Sequence, residues 1–114
     1  MTKAKSDQLQ GSLALLVLKT LEQGPMHGWG ITLHILSVSN DVLRVEEGSL
    51  YPALYRMERE RWIAGEWGVS ENNRRARFYR LTALGRKQLA RERESWQKIN
   101  GAVSLVLEYG PAAG

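Results

Sequence analysis

The chain has 114 residues, of which 43% are hydrophobic and 25% charged, and it contains no cysteine. That length suits one domain, or a small domain with an appended helix, and disfavours two-lobed enzymes; the absent thiols exclude disulfides, thiolate zinc sites and cysteine nucleophiles. Sixteen Lys and Arg against twelve Asp and Glu leave a formal charge of +4, which favours a polyanionic partner only where the charge is clustered.

Residues 1–7 are polar and are expected to form a flexible tail before a helix over 8–23, stopped by Gly24-Pro25. Leu9, Leu13, Leu16 and Val17 mark one face of this helix, but Leu15, Leu18 and Leu21 carry the apolar surface most of the way round. Either its own domain encloses it or it has a second buried surface, such as a contact with another copy of the chain; a domain this small has little interior in which to enclose a whole helix. The longest purely apolar run, Leu13 to Leu18, is far short of the roughly 20 residues of a membrane-spanning helix, so a soluble, cytoplasmic protein without membrane contact is expected.

A second helix is predicted from about His27 to Ser39, with Ile31, Ile35 and Val38 at near-helical spacing, followed by a turn at Asn40-Asp41 and a short extended segment over 42–45. The third helix, from about Glu47 to Trp62, carries Pro52, expected in a first turn that lacks internal N–H bonds. Leu50, Ala53, Leu54 and Met57 converge on one side of it. Pro52, Tyr55, Arg56 and Arg59 lie opposite, flanked by Ser49 and Tyr51.

Two β-like runs, 63–69 and 76–81, flank the polar tip Ser70-Glu71-Asn72-Asn73-Arg74 and predict a hairpin. Thr82 is placed to cap a last helix running to about Glu108. In it Leu89, Trp96 and Val103 repeat at seven and Ile99 and Val106 fill the alternate positions, a short coiled-coil-like seam. Residues 109–114 are expected to be a flexible tail. The domain plan is thus a tail (1–7), a folded domain (8–81), a dimerisation helix (82–108) and a second tail (109–114).

Little here suits catalysis. His27 and His34 have no acidic residue at ligand spacing, which favours capping or packing over a metal site. Gly28-Trp29-Gly30 lacks the third glycine and the preceding strand of a dinucleotide fingerprint, and Gly48-Ser49 lacks the glycine pattern of a nucleophile elbow. Glu46-Glu47 suits the positive end of the third helix better than acid–base work. No metal, no other cofactor and no enzyme activity are expected.

The charge distribution is more informative. Arg74, Arg75, Arg77 and Arg80 fall within seven acid-free residues at the tip and return strand of the hairpin. With Arg56 and Arg59 they form a basic surface of the kind that binds phosphates through counterion release; the bland alternative is a solvated basic hairpin. Three helices followed by a hairpin is the order of a winged helix-turn-helix: mainly α, with a small β-hairpin and an added C-terminal dimerisation helix. In that fold the third helix enters the major groove of double-stranded DNA, so Ser49, Tyr51, Pro52, Tyr55, Arg56 and Arg59 are candidates for base and phosphate contacts and Arg74, Arg75 and Arg77 for the backbone. Tyr51 lies nearer the buried side than Tyr55, so partial burial is its alternative role. The rival reading is a winged-helix docking module for another protein that never touches DNA specifically; an RNA-binding reading lacks an aromatic single-strand platform.

Three motifs in order, Gly24-Pro25-Met26-His27-Gly28-Trp29, Gly48-Ser49-Leu50-Tyr51-Pro52-Ala53-Leu54 and Arg77-Phe78-Tyr79-Arg80-Leu81-Thr82-Ala83-Leu84-Gly85, resemble the PadR family of bacterial transcriptional regulators. The resemblance covers about residues 9–106 and is to the short members with a single C-terminal helix. The wing, Ser70 to Ala76, is similar to that of a group common in Acidobacteria. The resemblance implies a homodimeric repressor that binds inverted-repeat operators, with its first and last helices building the interface. Leu9, Leu13, Leu16, Leu89, Trp96, Ile99, Val103 and Val106 are the candidates for that interface. It also implies, as in some members, release from DNA by a small planar aromatic effector, for which Trp96 is the candidate stacking residue; plain packing against the partner is the alternative for Trp96. Two positions depart from the family pattern: Trp29 stands where Tyr is usual, and Arg61 where Gly commonly ends the recognition helix.

Overall fold

The computed structural model describes the backbone of residues 2–111 and the side chains of residues 11–111. In chain order the elements are α1 (Thr2–Leu21), β1 (Met26–His27), α2 (Gly28–Val38), α3 (Glu47–Arg59), β2 (Ile63–Val69), β3 (Arg75–Leu81) and α4 (Ala83–Glu108). The helix expected from residue 8 thus begins at Thr2, and the predicted N-terminal tail is corrected accordingly. Residues 2–10 contain neither Gly nor Pro, and Lys3, Ala4, Lys5, Gln8, Leu9 and Gln10 are residue types that continue a helix at little cost. Leu9, expected at a subunit interface, has a side chain outside the described residues.

The core is built where the apolar faces of α1, α2 and α3 meet the base of the sheet. Leu13, Val17, Leu18 and Leu21 of α1 pack with Ile31 and Ile35 of α2, Leu50, Ala53, Leu54 and Met57 of α3, and Ile63, Tyr79 and Leu81 of the strands. Leu15 and Leu16 are half-buried against the same cluster. From Leu13 onward, therefore, most of the apolar surplus of α1 is covered by its own domain.

The sheet has three strands in the order β1-β3-β2, all antiparallel. Two-residue β1, which no periodicity could announce, pairs Met26 with Tyr79 and His27 with Phe78. His27 then caps α2: its Nδ1 accepts the Gly30 N–H at 3.0 Å, while its ring meets Phe78 edge-on. The expected capping or packing role of His27 is what the structure shows.

Helix ends are set by two backbone motifs of the same kind. After α2, Asn40 at φ +55° directs its N–H to the Ser37 carbonyl, and Asp41 reaches back to Leu36. After α3, Arg61 at φ +67° donates to Glu58 and Trp62 donates to Met57, both at 3.0 Å. These are Schellman closures, and Arg61 occupies the position that favours glycine. Trp62 then turns onto the core.

The joint between the sheet and α4 is tight. The Thr82 hydroxyl accepts the Gly85 N–H at 2.9 Å and shares its own proton between the Arg61 and Trp62 carbonyls, at 2.7 and 2.9 Å. A Cβ on Gly85 would sit 2.0 Å from the Trp62 carbonyl oxygen, so only glycine allows α4 to approach this closely. Beyond the joint α4 packs along α1 as far as buried Leu89. From Arg93 it is exposed apart from half-buried Ser104, and the molecule is elongated to 63 × 30 × 22 Å.

Candidate nucleic-acid interface

Helix α3 separates its faces as its periodicity requires: Leu50, Ala53, Leu54 and Met57 are buried, while Pro52, Tyr55, Arg56 and Arg59 face solvent. Tyr55 is 69% exposed, and the Arg59 guanidinium lies 5.9 Å from its ring centroid. Arg56 and Arg59 also fall in the last turn, where cations suit the helix dipole. Ser49 is half-buried at the N-terminal end.

One expectation about this helix needs correction. Because α3 starts at Glu47, Pro52 lies inside it and not in its first turn. Its missing N–H leaves the Gly48 carbonyl without an intrahelical donor, a loss that water can make good because Gly48 is exposed. Tyr51 flanks the exposed face, as its spacing predicts. Its hydroxyl lies so close to Gly28 that a Cβ there would be 2.6 Å away, which places the ring on the flank of α3 toward the start of α2, still 46% exposed.

The wing is the distal half of the β2–β3 hairpin. Ile63, Leu81 and Tyr79 anchor its base in the core, and on the same face farther out Trp67 pairs with Arg77 and Val69 with Arg75. The tip closes through Ser70 N–H to the Arg74 carbonyl and Asn73 N–H to Ser70, with Asn73 at φ +58°. Asparagine tolerates that left-handed position better than most residues. Arg74, Arg75 and Arg80 are exposed.

Arg77 behaves differently from the acid-free cluster its sequence neighbours suggest. Its guanidinium crosses above Gly65, where a Cβ would be 2.6 Å from Nε, and its Nη2 donates to Oε2 of Glu58 on α3. That bond holds the Arg77 pKa above the ordinary arginine value. Close by, burial first and the Glu58 carboxylate second push the Tyr79 phenol up. Sequence reasoning missed Glu58 because it stands 19 residues from Arg77. It also missed Trp67, which is 57% exposed and carries Arg75 at 4.6 Å and Arg77 at 5.6 Å from its ring centroid. The signal available was an aromatic alternating with the arginines across a predicted hairpin.

The residues expected at a subunit interface divide. Leu13 and Leu89 are buried inside this chain's own core and have no surface to offer a partner, and Leu16 is half-buried there. Trp96, Ile99, Val103 and Val106 are all exposed on the free part of α4, with Leu105 and Leu107 beside them. A groove of about 290 Å³ between the end of α1 and α4 is lined by Glu22, Arg86, Leu89, Arg93 and Glu94 among others, and does not include Trp96. Among the described residues no group of three or more His, Asp or Glu is placed to hold a metal ion, and no helix is long and apolar enough to cross a membrane.

Comparison with known proteins agrees with this architecture. The model of the transcriptional regulator PadR-like family matches residues 17–91. A transcriptional regulator of Clostridium thermocellum superposes with a TM-score of 0.78 at 26% identity, over 86% of this chain and 95% of its own. A PadR-like transcriptional regulator of Bacillus cereus gives 0.76 at 27% identity, over 91% and 99%. A curated transcriptional regulator of Mycobacterium tuberculosis is 29% identical across 79% of this chain and 80% of its own.

Proposed function

The chain belongs to the PadR-like family of transcriptional regulators, and from that premise we propose that it is a homodimeric repressor that binds an inverted-repeat operator. The family consists of DNA-binding regulators and not of enzymes. The observation that carries the finer reading is the pairing of two exposed features on one small fold. One is a recognition helix with Tyr55, Arg56 and Arg59 on its solvent face beside a wing bearing Arg74 and Arg75. The other is a C-terminal helix whose Trp96, Ile99, Val103 and Val106 have no cover within the chain.

In this reading the α4 helices of two copies pair along the exposed seam, aided by α1. The two recognition helices enter successive major grooves about one helical turn apart, so the operator is near-palindromic. Tyr55, Arg56 and Ser49 address base edges and nearby phosphates, Pro52 and Tyr51 shape the approach, and Arg59, Arg74 and Arg75 hold the backbone, with Arg77 supporting the wing. Repression follows from promoter occlusion. A small planar aromatic effector inserted at the subunit interface beside Trp96 would release the DNA; the exposure of that indole supports the assignment.

Selection of random duplex DNA on the purified protein at about 150 mM salt, followed by sequencing, tests the proposal. An enriched inverted repeat is the expected result. Salt-sensitive retention with no enrichment would overturn sequence-specific recognition and bring forward the docking-module alternative.

A further inference from the structure

Two guanidiniums share one indole in the wing, and their surroundings differ. Arg75 is exposed and, among the described residues, has no carboxylate within ion-pair distance. Arg77 is about one-third exposed at its side chain and is tied to Glu58 of α3. Stacking two like charges on one ring is unfavourable unless one is neutralised, and Glu58 does that for Arg77. Gly65 makes the crossing feasible, since any side chain there would displace the guanidinium from its path to Glu58. The pair therefore joins β3 of the wing directly to the recognition helix, on a face whose outer members Trp67, Val69 and Arg75 are all exposed.

We infer that the wing assigns its arginines different roles. Arg77, clamped by Glu58 over Gly65, is a positioning residue that fixes the wing against the recognition helix, while Arg75, held over Trp67, is left free to meet phosphate. The inference rests on the DNA-binding reading above. A carboxylate on the side of a recognition helix repels the phosphate backbone, and pairing it with Arg77 removes that repulsion while leaving the charge of Arg75 free. A guanidinium held over an indole loses less side-chain freedom on meeting a phosphate than a free one, and the Arg75 Cζ lies 4.6 Å from the Trp67 ring centroid.

The test is the salt dependence of binding to a fluorescent random-sequence duplex, measured for the full-length protein and single variants. Each phosphate contact contributes about 0.9 to the slope of log affinity against log salt. A dimer carries two wings, so Arg75→Ala should flatten the slope by about 1.8, which makes the loss of affinity between about 50 and 200 mM salt about 12-fold smaller. Arg77→Ala should leave the slope within about 0.4 of wild type while speeding amide hydrogen exchange in β2 and β3. Glu58→Ala should steepen the slope, because it frees a second guanidinium. Gly65→Ala keeps every charge and should do the same by pushing Arg77 off its partner, so the outcome does not depend on Arg77→Ala remaining folded. An Arg77→Ala slope that falls as far as that of Arg75→Ala, or Glu58→Ala and Gly65→Ala slopes no steeper than wild type, would overturn the separation of roles and leave DNA binding intact. A wild-type protein with no salt-dependent binding to duplex would instead refute the DNA-binding reading itself.

Discussion

Arg61→Gly should stabilise the protein, and the amount can be worked out from its backbone. Arg61 stands at φ +67°, held there by its own N–H to Glu58 and by the following Trp62 N–H to Met57, so the residue cannot relax without opening the end of α3. A left-handed conformation costs an L-residue about 1–2 kcal/mol. Glycine removes that cost but forfeits about 0.4–1 kcal/mol through the greater freedom of the unfolded chain. The net gain is about 0.5–1 kcal/mol per protomer, or a rise of about 2–6 °C in the thermal midpoint for a domain of this size. Urea unfolding at fixed protein concentration should show a higher midpoint at unchanged slope. Arg61→Ala is the companion variant: it deletes the guanidinium but keeps the backbone penalty, and should match wild type. If Arg61→Gly proved no more stable than Arg61→Ala, the reasoning from the left-handed closure would be refuted.

Three further outcomes are expected. Gly85→Ala places a methyl group 2.0 Å from the Trp62 carbonyl oxygen and should cost about 3 kcal/mol or more; a thermal midpoint near wild type would mean that the joint has slack. Thr82→Ala removes both the cap of α4 and the hydroxyl bonds to the end of α3, a loss of about 1–2 kcal/mol by chemical unfolding, and a neutral result would show that water replaces the hydroxyl there. A chain ending after Arg91 keeps Leu89 and the core but loses Trp96, Ile99, Val103 and Val106, and should sediment as a monomer where the full chain is a dimer; a dimeric truncation would remove α4 from the interface.

Much of the fold could be read from the sequence because its signals are local. The apolar spacing in α2 and α3, the polar tip at 70–74 and the cap at Thr82 each act within a few residues, and the structure has an element at every one of them. The left-handed closure at Arg61 was legible only through the resemblance to a family in which Gly commonly ends this helix, since spacing alone carried the helix on to Trp62. What escaped is set by tertiary contact. Seven-residue spacing put Leu89 on the same stripe as Trp96 but could not tell that α1 covers the first part of the stripe and leaves the rest bare. Nor could the acid-free run around Arg77 reveal a carboxylate on another element, or Tyr51 show that it folds back against Gly28. Strand β1 is two residues long and exists only because β3 offers an edge.

The joint around Thr82 has a mechanical consequence. With its hydroxyl bonded on both sides and Gly85 pressed against the Trp62 carbonyl, the end of α3 and the start of α4 have no play between them. Parts joined without play move as a lever, and the long arm here is α4, whose 26 residues span about 39 Å. Swinging such an arm by about 5° moves its far end by about 3 Å, close to the spacing of successive base pairs along DNA, about 3.4 Å. In the dimer proposed above, tilting α4 about its far end would therefore carry the recognition helix by about one step of the duplex.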